Sequence, residues 1–231
     1  MSKIDRRSVL ATSAALVTAA AAAGGKAVAA PPAAPVASPL PLPFPPASLG
    51  WLSEKLIVSH HENNYAGAVK RLAAIKAEWA KLDAATAPGF QVNGLKREEL
   101  IAWNSMILHE VYFAGLGQPS QPGQALSRAI ERDFGSHDRW TAEFSGMGKA
   151  LGGGSGWVLL TWSPHDQRLT NQWAADHTMT LAGSTPLLVL DMYEHAYAID
   201  FGAKAAAYVD GFMKSIAWGN ADRVFGRLSS T

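Results

Sequence analysis

The sequence predicts an α+β fold: an N-terminal antiparallel α-helical hairpin, then a mixed α/β domain with a small antiparallel sheet. Three observations lead there. Apolar residues recur at helical spacing through two long early segments. A Pro- and Gly-rich break at Pro119, Pro122 and Gly123 divides the chain. Three short apolar runs of strand character follow a glycine cluster at 152–156.

The elements follow in order. Ser53 is suited to cap a helix, with Glu54 in its first turn. Leu56, Ile57, Ala68, Leu72 and Ile75 carry that helix to about Leu82, and His60 falls on the same stripe. Pro88 and Gly89 make 83–92 a loop. Residues 96–116 read as the second helix, with Leu100, Trp103, Ile107, His109 and Phe113 near one stripe. Two further helices are expected at 125–134 and 137–151, strands at 157–162, 169–174 and 187–190, and helices at 193–197 and 203–217. The expected division is 49–117 for the hairpin domain and 118–231 for the α+β domain.

Composition narrows the chemistry. The 231 residues include no cysteine, which excludes disulfides, thiolate metal sites and cysteine nucleophiles. Any metal must be held by imidazole, carboxylate or carbonyl groups. The first 29 residues carry Lys3, Arg6, Arg7 and Lys26 against Asp5, while the whole chain has a formal charge of +1. The remainder is therefore nearly neutral, and nothing points to nucleic acid. Eight tryptophans suit a densely packed aromatic core.

Residues 1–30 read as an export signal: a charged start with Arg6-Arg7, an apolar alanine-rich stretch, and a small-residue end at 27–30. The arginine pair resembles a twin-arginine leader, implying a periplasmic or secreted protein with no membrane span in its mature form. The apolar stretch is short for a comfortable span. Residues 31–48 hold most of the prolines and read as an extended linker, with Leu42 and Phe44 placed to dock on the domain.

The densest chemical signal is Asp191-Met192-Tyr193-Glu194-His195. Asp191 and His195 are four apart, which on a helix puts them on one face. His109 and His60 each fall on the inward stripe of one hairpin helix, so three imidazoles and a carboxylate converge on one non-thiolate site. His61 competes for the His60 role, but points about 100° off the stripe of an α-helix.

These residues resemble the iron/manganese superoxide dismutase family. Ser53–Leu72 resembles its first ligand helix and Asn104–Phe113 its second. Gly154-Ser155-Gly156-Trp157 is similar to its Gly-Ser-Gly-Trp strand start, and Asp191–Tyr197 matches its Asp-x-Trp-Glu-His-Ala-Tyr signature with tyrosine for tryptophan. The resemblance spans roughly residues 42–228. It implies one iron or manganese ion held by His60, His109, Asp191 and His195. It implies conversion of superoxide to dioxygen and hydrogen peroxide by redox cycling of that ion, protons coming through coordinated solvent. It also implies a homodimer through Glu194 and His195.

The chain departs from the family at two relay positions, where Asn64 and Ala68 stand for the usual histidine and tyrosine. Tyr65 is close, but on an α-helix is turned about 100° from Asn64. The resemblance places His177 at the residue that contacts metal-bound solvent, and Trp157 and Tyr193 as pocket walls. Ser105 occupies the alternative position four before His109. The relay departures also admit a weakly active metal-binding relative, or a peroxidase-like oxidoreductase using space at Ala68.

Overall fold

In a computed structural model, residues 38–229 are described. The export signal at 1–30 and the linker up to residue 37 lie outside them. Within the described residues no helix is long and apolar enough to cross a membrane.

The hairpin forms as its pattern predicts, with different boundaries. Helix α1 is Glu54–Ser59, and the Ser53 hydroxyl caps it by accepting from the Leu56 N–H. The chain continues through one π-helical turn, His60–Tyr65, into α2, Ala66–Trp79. The Ala66 N–H reaches back five residues to the His61 carbonyl, which widens that turn. The second helix of the hairpin, α3, is Gly89–Ala114 and starts well before the expected residue 96. Pro88 sits at its N-cap, where a missing N–H costs no helical hydrogen bond, so the Pro-Gly pair opens the helix and does not extend the loop. Lys76 and Lys96 lie over the rings of Trp103 and Trp79, clasping the hairpin's outer end.

Beyond the 117–123 linker come α4, Gln124–Phe134, and α5, His137–Ala150, which the Ser136 hydroxyl caps. A three-stranded antiparallel sheet follows: β1, Trp157–Ser163; β2, Arg168–Ala174; β3, Thr185–Asp191, in the order β2-β1-β3. Every residue of the central strand β1 is buried. Pro186 is tolerated because β3 is an edge strand, and the pairing with β1 slips by a residue there. Gly156, in the glycine cluster before β1, has φ +137°, and a Cβ there would meet the Ala174 carbonyl oxygen at 2.3 Å. Only glycine fits.

After β3 the expected helix at 193–197 shrinks to a single 3-10 turn, Glu194–Ala196. Asp191 is the last residue of β3, not the start of a helix, because Tyr193 keeps extended backbone (φ −69°, ψ 145°). Helices α6, Ala198–Phe201, and α7, Ala205–Lys214, come next. The expected 203–217 helix ends at Lys214. A further helix, α8, Gly219–Leu228, was not apparent in the pattern.

One apolar core joins both halves: Leu56, Ile57, Leu108 and Tyr112 of the hairpin meet Leu159, Leu190, Val209 and Phe212. Phe44 is buried in it and Leu42 packs against it, so the end of the linker docks as expected. Helix α3 packs on β3 and α5 on β1, which brings the ligand-bearing face of the hairpin against the end of the sheet.

Candidate metal centre

Four side chains from four different elements meet here. His60 comes from the π turn, His109 from α3, Asp191 from the end of β3 and His195 from the 3-10 turn, their ligand atoms all within 4.8 Å of one another. The Nε2 atoms of His60, His195 and His109 lie 3.1, 3.2 and 3.6 Å from the same Asp191 Oδ2. His60, His109 and Asp191 are buried, and a quarter of the His195 side chain reaches the surface.

Local chemistry aims each group. The His109 Nδ1–H donates to the Ser105 carbonyl oxygen at 2.6 Å, so its bare Nε2 faces the cluster. That Nε2 is buried and has no hydrogen-bond partner. A buried lone pair pointed at two other imidazole Nε2 atoms is costly unless it serves as a ligand. The Asp191 Oδ1 accepts from the Tyr193 N–H, and its backbone carbonyl accepts from the Tyr208 hydroxyl. The donor set of three nitrogens and one hard oxygen suits iron or manganese.

Electrostatics keep His60, His109 and Asp191 deprotonated. Burial pulls the His60 imidazole below its ordinary range and pushes His109 down to about 3, with neighbouring imidazoles adding to it. Burial alone would raise the Asp191 carboxyl. Its interactions with His195 and with His60, whose Nε2 atoms both lie within hydrogen-bond reach of Oδ2, outweigh it and hold Asp191 ionised well below the usual carboxylate range. With His60 and His109 neutral and Asp191 anionic, those three groups are ready for a cation.

Around the four lie the expected pocket residues. Trp157 stands edge-on to His109, ring centroids 5.1 Å apart. Its indole N–H donates to His177 Nδ1 at 2.9 Å. The Asn104 side-chain amide donates to the His177 carbonyl and anchors its loop to α3. Burial lowers the His177 imidazole and raises the Tyr193 phenol to about 12. Tyr193 stacks between His177 and His195, at 4.9 and 5.4 Å. Asn64 is half-buried and, among the described residues, makes no hydrogen bond to any of the four. His61 is outside the cluster, its Nε2 2.8 Å from the Leu40 carbonyl oxygen.

Sequence reasoning gave no role at the site to Tyr65, Tyr112 or Phe113. Tyr65 is buried with its ring 6.4 Å from His109. Its hydroxyl accepts from the Leu40 N–H and donates to Glu110. Helical arithmetic turned it away because it assumed an α-turn. The wider π turn advances fewer degrees per residue and swings Tyr65 back toward the ligand face. Tyr112 and Phe113 pack on His60 at 5.2 and 5.0 Å, a signal present in their spacing from His109.

A helical hairpin closing on a small sheet, with one buried set of three histidines and an aspartate between them, defines a mononuclear redox-metal protein. Comparison makes the class specific. The family profile described as iron/manganese superoxide dismutases, C-terminal domain, matches residues 122–224. An iron superoxide dismutase of Cupriavidus metallidurans is 70% identical over 181 residues, covering 78% of this chain and 92% of that protein. One from Aquifex pyrophilus is 34% identical over 75% of this chain and 84% of its own length. A manganese superoxide dismutase of Halobacterium salinarum is 30% identical over 77% and 89%. The chain belongs to the iron/manganese superoxide dismutase family.

Proposed function

We propose that the protein disproportionates superoxide, two superoxide ions and two protons giving dioxygen and hydrogen peroxide. The observation that carries this is the convergence of three imidazole Nε2 atoms on one buried aspartate oxygen. His60, His109, Asp191 and His195 hold one iron or manganese ion. When bound, that ion supplies two oxidation states, one to accept an electron from superoxide and one to return it. Trp157, by donating to His177 Nδ1, leaves the proton of a neutral His177 on Nε2, where it can be offered into the pocket. Tyr193 and Trp157 exclude bulk water from the ligands, which strengthens every polar contact inside.

The partner is a second copy. Glu194 is exposed beside partly exposed His195, at the one edge where the ligand set reaches the surface, and it bridges to the partner subunit there. Arg6 and Arg7 support export of the folded, metal-loaded chain by a twin-arginine route to the periplasm or outside.

Metal analysis and a dismutation assay on paired variants test the ligand set. His60→Ala loses at least about tenfold in metal affinity and the activity with it. His61→Ala keeps both. The reverse pattern, or a purified protein that binds neither iron nor manganese, overturns the reading.

A further inference from the structure

Away from the metal centre, a cleft of about 660 Å³ opens between the 117–123 linker, the starts of α4 and α5, and the end of α7. It shares no residue with the four-ligand cluster. Its size falls within the range of small-molecule sites.

Its lining divides into two chemistries. Trp140 and Trp218 meet edge to face, centroids 5.1 Å apart, and with Ile216 form an apolar floor. The Trp140 indole N–H is already spent on Asn171, so that residue offers only ring surface. The polar side is made by Ser127, His137 and Lys214, with Ser120, Gln121 and Thr141 beside them, and Ser120 Oγ already accepts from the Trp218 backbone N–H. Ser127 Oγ lies 2.9 Å from His137 Nε2, so His137 is not the free surface histidine its position suggests. However the protons are placed, that pair keeps one to donate. If Ser127 gives its proton to Nε2, Nδ1–H is left; if Nε2–H gives to Ser127, the hydroxyl hydrogen is left. Lys214 is exposed and, among the described residues, has no ion-pair partner. No aspartate or glutamate lines the cleft, and Asp138, the acid next to His137, is outside the lining.

We propose that this cleft binds a small monocarboxylate with a ring-sized apolar body. The carboxylate sits between the Lys214 ammonium and the Ser127–His137 pair, and the body rests against Trp140, Trp218 and Ile216. A cation plus a neutral donor, with no competing acid, favours an anionic head. The tryptophan pair favours a flat apolar body over a hydrated one.

Benzoate is the probe, with benzamide as its uncharged counterpart, titrated by calorimetry into the metal-loaded protein. The wild type binds benzoate saturably at one site. Benzamide binds at least about tenfold more weakly, and so does benzoate to Lys214→Met, as the loss of one charge-assisted contact requires. Lys214→Arg retains binding, and the thermal midpoints of both variants match the wild type because the side chain is exposed. Absence of saturable binding overturns the proposal. So does a loss of less than about threefold in either comparison, which would mean that the charge is not what the cleft reads.

Discussion

Asp191 shows how much chemistry one residue can concentrate. Its Oδ2 faces three imidazoles, its Oδ1 takes the Tyr193 N–H, and its own carbonyl takes the Tyr208 hydroxyl. Charge, orientation and depth are all set by neighbours. The histidines respond to the same burial in the opposite sense. Folded His109 takes up a proton only near pH 3, whereas an unfolded chain takes it up near about 6.5. Between those values the unfolded state binds more protons, so acid favours unfolding. The stability this neutral imidazole confers is complete above about pH 6.5 and is lost as pH falls toward 3. The urea midpoint of the metal-free protein should therefore drop between about pH 7.5 and about pH 5; a flat or rising midpoint would contradict the burial argument. The Trp157–His177 hydrogen bond makes a second residue-scale prediction. Trp157→Phe keeps a ring against His109 but removes the donor that sets the His177 tautomer. Turnover should fall by about tenfold or more, and the pH profile of turnover should shift, with bound metal retained. An unchanged profile would reduce Trp157 to packing.

At the scale of elements, the departures from simple periodicity are the informative ones. The π turn at His60–Tyr65 lets an otherwise regular helix present both His60 and Tyr65 inward, with His61 turned to the linker at Leu40. The 3-10 turn after β3 lets Asp191 and His195 face one point although one lies on a strand. The glycine before β1 is of the same kind. Gly156→Ala pushes a methyl group into the Ala174 carbonyl and forces a left-handed backbone on alanine. A loss of more than about 3 kcal/mol follows, read from denaturant midpoints. Because Trp157 is the next residue, the change should also lower metal content; a variant as stable as the wild type would show that the strand start can shift without cost.

Across the whole molecule, neither half is sufficient alone. The hairpin contributes His60 and His109, the sheet and the turn after it contribute Asp191 and His195, and one apolar core spans both. In the proposed dimer, the edge at His195 and Glu194 is where a second copy would complete the enclosure of the ligand set. The proposed dimer predicts a dimeric wild type in light scattering at micromolar concentration and a monomeric Glu194→Ala, with lower metal affinity in the variant because His195 loses its outer support. A dimer that survives the substitution would place the interface elsewhere.

The sequence by itself determined the α+β order, the absence of thiolate chemistry and the capping of α1 by Ser53. Those features depend on residue type and on short-range spacing, which a chain carries openly. The four residues that meet at the centre were legible only through the inward histidines of the hairpin taken together with the family resemblance, because they lie far apart along the chain. The sequence did not determine that Asp191 ends a strand, that α3 begins at Gly89, or that α8 forms, because each is decided by what the segment packs against. Tyr65 is the clearest case. Its place near His109 depends on a single widened turn, and that turn is held by contacts from the linker at Leu40 and from Glu110 on the neighbouring helix. Local periodicity predicts an α-turn there, and only tertiary packing can tip the balance to a π-turn.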